Sequence, residues 1–216
     1  MAGDIGNYVI KTIAAGGIVP VVALADAAAA DQLARALLHG GLRCAEVTFR
    51  TDAAAEAIKA MAAHPELLVG AGTVLNPAQV DQAVDAGARF IVSPGFSAAV
   101  VAHCRDRGVP VFPGVATPTE IQMALEAGVE TVKFFPAEQL GGAPMVKALS
   151  APFRSVRFIP TGGVSTANLP DYLALPSVLA VGGAWMVAPD LLAACRWDDV
   201  TARTRSALAK VGDARA

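Results

Sequence analysis

Ile18-Val19-Pro20-Val21-Val22-Ala23-Leu24 is an apolar, largely β-branched run, and Asp26 then opens an Ala/Leu-rich stretch that lasts to Gly40-Gly41. The first part has the composition of a strand and the second that of a helix begun by an acidic cap and stopped by glycine. Working outward, the same unit returns. Arg43 to Phe49 is a strand and Thr51 or Asp52 is placed to cap a helix to about Ala63; Leu67 to Ala71 is a strand and Asn76-Pro77 starts another helix. Arg89 to Ser93 precedes a helix capped by Ser97, and Pro110 to Phe112 precedes Thr117-Pro118-Thr119-Glu120, the pattern of a capping box. Thr131 to Phe135, Val156 to Ile159 and Val178 to Val181 complete the strands, with helices around Pro144 to Leu149 and Ala167 to Leu173 between them. A helix over residues 3 to 15 precedes the series, and a terminal helix and tail follow Pro189.

Strands that alternate with helices pair in parallel, and strands that are apolar throughout are buried on both faces. Eight such units in 216 residues predict a single α/β domain over 1–216, a (β/α)₈ TIM barrel with an extra N-terminal helix. An open doubly wound sheet is the alternative, weakened because no GxGxxG opens a helix after the first strand. Gly41, Gly87, Gly108 and Gly128 stand where helix C-caps are expected.

Composition narrows the function. Hydrophobic residues make up 54% of the chain and the formal net charge is -2, with scattered basic residues, so neither nucleic acid nor an anionic membrane surface is an expected partner. No apolar run approaches a membrane span, and the N-terminal stretch lacks the form of a signal peptide, which leads to the expectation of a cytoplasmic protein. Cys44, Cys104 and Cys195 lack CxxC spacing and His39, His64 and His103 lack HxxxH spacing; no metal is expected, and the thiols read as reduced.

In a barrel, chemistry gathers at the C-terminal ends of the strands. Those ends carry Glu46 with Arg50, Thr73, Pro94, Pro113, Lys133 with Phe135, Thr161 and Gly182-Gly183. Period two in Cys44-Ala45-Glu46-Val47-Thr48-Phe49-Arg50 puts Glu46, Thr48 and Arg50 on one face, which is the lumen if the hydrophobes face the helices. The same parity groups Thr131, Lys133 and Phe135. A buried carboxylate requires a partner, and Arg50 or Lys133 could supply it. Lys133 sits in Val132-Lys133-Phe134-Phe135-Pro136-Ala137-Glu138; burial beside Phe134 and Phe135 penalises the ammonium, and a neutral amine adds to a ketone or aldehyde to form a Schiff base. A structural ion pair, or a lysine that snorkels to solvent, is the alternative. Gly70-Ala71-Gly72-Thr73 admits close backbone approach and sets a hydroxyl at a strand end. Thr161-Gly162-Gly163 and Val181-Gly182-Gly183 follow strands seven and eight, where barrels commonly bind phosphate through backbone N–H groups.

The segments Glu46 to Thr51, Val69 to Asn76, Ser93-Pro94-Gly95, Val132 to Glu138 and Pro160 to Gly163, in this order, resemble class I 2-keto-3-deoxy-6-phosphogluconate (KDPG) aldolases, often also active on 4-hydroxy-2-oxoglutarate. The resemblance covers nearly the whole chain. It implies that Lys133 forms the Schiff base, that Glu46 moves protons through a bound water, and that Arg50 and Thr73 hold the pyruvate carboxylate. It further implies that Pro94 and Phe135 wall the reacting carbons, that Thr161 contacts the substrate chain, and that Gly162, Gly163, Gly182, Gly183 and Ala184 form the phosphate site. It implies a phosphorylated 2-keto acid substrate, no cofactor and a homotrimer. The family often has serine where this chain has Ala184; a neutral hydrogen bond is worth roughly 0.5–1.5 kcal/mol and one to a charged group somewhat more, so its loss weakens phosphate binding by about tenfold. A phosphosugar isomerase that uses Glu46 as base, and a non-catalytic phosphate binder, are the alternatives.

Overall fold

The structure is a computed structural model that describes residues 2–215. Helix α1 (Ala2–Gly16) leads into β1 (Ile18–Val22), and Asp26 accepts from the Ala28 N–H to open a 3₁₀ turn that runs into α2 (Ala30–His39). Then follow β2 (Cys44–Thr48), α3 (Ala54–Ala62), β3 (Leu68–Gly72), α4 (Pro77–Asp85), β4 (Ile91–Val92), α5 (Ala98–Asp106), β5 (Val111–Phe112) and β6 (Gly114–Val115). The second half comprises α6 (Pro118–Glu126), β7 (Thr131–Phe134), α7 (Gly142–Ser150), β8 (Arg157–Pro160), α8 (Leu169–Leu173), β9 (Val181–Gly183), α9 (Pro189–Ala193) and α10 (Trp197–Arg215).

Every registered pair is parallel. Six strands form a curled sheet in the order β5-β4-β3-β2-β1-β9, a half-barrel, and β6-β7-β8 form a second sheet of three. The caps follow side-chain chemistry. Asn76 accepts from the Gln79 N–H, Ser97 from the Val100 N–H, and Thr117 with Glu120 closes a full capping box. Gly41, Gly87, Gly108 and Gly128 all take positive φ just past helix ends, the left-handed turn that glycine makes without steric cost.

Two expected boundaries are corrected. Neither Thr51 nor Asp52 caps α3; its N-cap is Ala53, without a side-chain bond, because the Thr51 hydroxyl instead donates to the Leu24 carbonyl at 2.6 Å. The last strand is Val181–Gly183, not Val178 to Val181, so Gly182-Gly183 is strand rather than the turn after it, paired with Val19 and Pro20 of β1. Gly-Gly resembles a turn in composition; tertiary pairing overrides that preference.

Side-chain parity divides the core. Ala45, Val47, Val132, Phe134 and Phe158 belong to the cluster between strands and helices. Val19, Cys44, Phe90, Val92, Phe112 and Ile159 point the other way and pack with Val9 and Ile13 of α1. Phe90 and Phe112 meet with ring centroids 5.8 Å apart. The extra N-terminal helix therefore plugs the interior, and each such fully buried side chain contributes on the order of 1.5–3 kcal/mol. What remains polar inside is the site.

Candidate active site

Glu46 and Lys133 sit at the middle of buried strands with the parity expected, between apolar outer-face neighbours Ala45, Val47, Val132 and Phe134. Both line one interior space with Thr161, over a floor of Ile13, Val19, Phe90, Val92, Phe112 and Ile159. Lys133 Nζ lies 3.6 Å from Glu46 Oε1, with the two side chains only 6% and 4% exposed. Glu46 Oε1 has no hydrogen-bond partner at shorter range. The carboxylate is thus aimed at the amine with one oxygen lacking a donor, an arrangement that a bound water or a substrate hydroxyl would complete.

The amine is buried as expected, but only one of the two expected aromatic neighbours reaches it. Phe134 belongs to the outer core, and Phe135 turns its ring face toward Lys133 Nζ, 4.9 Å from the centroid. The carboxylate that faces the amine is that of Glu46.

Arg50 does not pair with Glu46; among the described residues it forms no ion pair and stands exposed at the rim. Its position is set by Thr48, whose hydroxyl donates to the Val22 carbonyl at 2.8 Å and accepts from Arg50 Nε at 3.1 Å. Among the described residues, the terminal nitrogens of the guanidinium make no hydrogen bond. Thr73 follows the strand that carries Gly72, and its φ of 56° places a β-branched residue in the left-handed region. Such a conformation costs of order 1–3 kcal/mol and is retained only where the surroundings impose it.

The glycines of β3 and β6 make room for protein rather than for ligand. A Cβ at Gly70 would collide with the Phe90 ring and one at Gly72 with the Glu46 carboxylate. A Cβ at Gly114 would collide with the Pro94 carbonyl, so Pro94 presses its backbone against the strand residue paired with Lys133. Ser93 holds that turn by donating to the Gly95 carbonyl.

Thr161 is buried, with its hydroxyl donating to the Ile159 carbonyl at 3.2 Å, and it fills the space beside Gly182 that a Cβ would need. Trp185 does the same for Gly183. Gly162 and Gly163 both take positive φ, 97° and 78°, and Gly162 lies against Phe135 and Pro136. Strand, turn and aromatic ring therefore meet at one end of β7 and β8. Ala184 is exposed at the start of the 3₁₀ turn Trp185–Val187. Sequence reasoning passed over Glu138 and Tyr172, which are hydrogen-bonded to each other behind Gly163. Only the position of Glu138, at the end of the lysine motif, hinted at it.

The thiols take no part in this arrangement: burial pushes Cys44 and Cys104 up to about 12, and Cys195 is exposed elsewhere. Among the described residues, no group of three or more His, Cys, Asp or Glu is placed to hold a metal ion.

Fold and site define a class, an α/β protein on parallel strands with a buried amine beside a carboxylate and glycine turns at the adjoining strand ends. The chain belongs to the KDPG and KHG aldolase family, whose sequence model matches residues 9–203. A 2-dehydro-3-deoxy-phosphogluconate aldolase of Treponema pallidum (strain Nichols) is 54% identical over 196 residues, 90% of this chain and 93% of that protein. The 2-keto-3-deoxy-6-phosphogluconate aldolase of Zymomonas mobilis ZM4, solved with 3-phosphoglycerate, superposes with a TM-score of 0.88 at 41% identity, covering 94% of this chain and 96% of that one. The KDPG aldolase of Legionella pneumophila, with pyruvate captured as a covalent carbinolamine intermediate, gives 0.89 at 38% identity, covering 92% and 97%.

Proposed function

We propose that this chain is a class I aldolase that reversibly cleaves 2-dehydro-3-deoxy-6-phosphogluconate into pyruvate and D-glyceraldehyde 3-phosphate. The observation that carries the reading is the buried Lys133 amine 3.6 Å from the Glu46 carboxylate. Lys133 passes a proton to Glu46 and attacks C2 of the keto acid; Glu46 returns that proton to the carbinolamine hydroxyl, which leaves as water and gives a cationic imine. That cation is the electron sink into which the C3–C4 bond breaks. Glu46 takes the C4 hydroxyl proton through a water as the aldehyde departs, then returns a proton to C3 of the enamine before the imine is hydrolysed. The covalent pyruvate adduct of the Legionella relative has the form of the first step.

Arg50 and Thr73 hold the substrate carboxylate, the former through the terminal nitrogens of its guanidinium. Pro94 and Phe135 flank the reacting carbons, and Thr161 contacts the chain beyond them. Gly162, Gly163, Gly182, Gly183 and Ala184 form the phosphate cradle through their backbone. Ala184 offers no hydroxyl, which favours some turnover of the non-phosphorylated 4-hydroxy-2-oxoglutarate, cleaved to pyruvate and glyoxylate.

The two sheets belong to one (β/α)₈ ring in a single domain over 1–216. Support comes from Pro113, which alone separates β5 from β6, and from the isolated parallel bridges Phe158 to Val178 and Thr161 to Gly182. The homotrimer rests on family resemblance, and the cytoplasmic location on metabolic substrates together with the lack, among the described residues, of any helix long and apolar enough to cross a membrane.

Borohydride reduction in the presence of pyruvate tests the central step. Loss of activity with a reduced adduct on the peptide that contains Lys133 is expected; full activity and an unmodified Lys133 would overturn it.

A further inference from the structure

We infer that Glu138, tethered by Tyr172, is the positioning residue that shapes the Gly162-Gly163 turn and so sets the preference for phosphorylated over non-phosphorylated substrate. The inference rests on the aldolase reading above and deepens it. Four contacts converge on this turn, and a fifth holds Glu138 itself in place. The Ala137 N–H donates to the Thr161 carbonyl at 2.8 Å, and the Glu138 N–H to the Gly162 carbonyl at 3.1 Å. The Glu138 stem occupies the place where a side chain at Gly163 would start, its Cγ and Cβ 2.5 and 2.6 Å from a Cβ built there. From the opposite side, Asn168 Nδ2 donates to the Gly163 carbonyl at 3.1 Å, while Asn168 Oδ1 accepts from the Ser165 N–H at 2.7 Å.

The fifth contact fixes the charge. The Glu138 carboxylate accepts a hydrogen bond from the Tyr172 hydroxyl and lies beside Gly142 at the first turn of α7, where a Cβ would be 3.2 Å from Oε1. Burial, and then the bond to Glu138, push the Tyr172 phenol above its ordinary value, so it remains a donor across the working pH range. A carboxylate free to swing beside glycine N–H groups would compete with a phosphate for them; the tether draws it behind the turn. Glu138 and Lys133 belong to one continuous segment: the strand that supplies the amine ends at Phe134 and runs through Pro136 into the 3₁₀ turn Glu138–Leu140 that props the phosphate turn.

The test compares KM for KDPG with KM for 4-hydroxy-2-oxoglutarate in the full-length protein. Glu138→Ala and Tyr172→Phe should each raise the ratio of the first to the second about tenfold, the size of one lost polar contact to the phosphate. Glu138→Gln keeps the stem and the acceptor for Tyr172 and should restore the wild-type ratio within about twofold. Unchanged ratios in Glu138→Ala and Tyr172→Phe, or equal losses on both substrates, would overturn the inference. A wild-type chain that cleaves neither substrate and yields no borohydride adduct would instead overturn the aldolase reading.

Discussion

Glu46 lies in the space that Gly72 leaves empty: a Cβ at Gly72 would collide with the glutamate carboxylate. Gly72 has no positive φ, so its lack of a side chain serves that contact rather than a turn. Gly72→Ala is therefore expected to fold and to displace Glu46 from Lys133. Removal of a placed proton-transfer group costs on the order of a hundredfold or more in kcat. A Gly72→Ala enzyme with kcat within twofold of wild type would show that the position of Glu46 does not matter.

Glu46→Gln keeps the shape and loses the proton acceptor. Turnover should fall by about a hundredfold or more while KM for pyruvate in the condensation direction changes far less. Steady-state kinetics in both directions would check this, and normal turnover would remove Glu46 from the mechanism.

Much of this arrangement was legible in the sequence. Period two put Glu46 and Lys133 on the interior face, and the caps at Asn76, Ser97 and Thr117 stand where composition placed them. What escaped depends on contacts between distant segments. Thr51 is bonded 27 residues back to Leu24 instead of capping its own helix, and Glu138 meets Tyr172 across 34 residues. Gly182-Gly183 read as a turn because the neighbours that fill their space, Thr161 and Trp185, become visible only in the fold. That Phe134 turns away from Lys133 while Phe135 meets it was not legible either, because composition tells that rings are near, not which way they point.

Thr48 holds Arg50 through one hydroxyl that is itself anchored to Val22. Thr48→Val preserves shape and removes both bonds. KM for the keto acid should rise about tenfold with kcat little changed, and Thr48→Ser should recover most of the loss. Equal KM values for the valine and serine variants would show that the hydroxyl does not position the arginine.

Acid stability should report Asp81. The hydrogen bond from His103, and then that from Arg107, hold its carboxyl below the usual 3.8. A depressed folded value means that the stabilisation is complete above pH 3.8 and fades as pH falls through the lowered value. Asp81→Asn should melt below wild type at pH 6, and the two melting curves should converge toward pH 2.5. A constant gap across that range would assign the difference to something other than the charge.

Ala184 is exposed at the start of the turn that follows β9, beside the glycines that would receive the phosphate. Ala184→Ser adds a donor where only backbone and a methyl now face solvent, and a hydrogen bond to a charged group is worth about 1.5–3 kcal/mol at best. KM for KDPG should therefore fall by up to about tenfold, given that part of the gain is lost to ordering the hydroxyl. The constants for 4-hydroxy-2-oxoglutarate, which has no phosphate, should stay within about twofold of wild type. An unchanged KM for KDPG in a normally folded Ala184→Ser protein would mean that the side chain at this position points away from the phosphate.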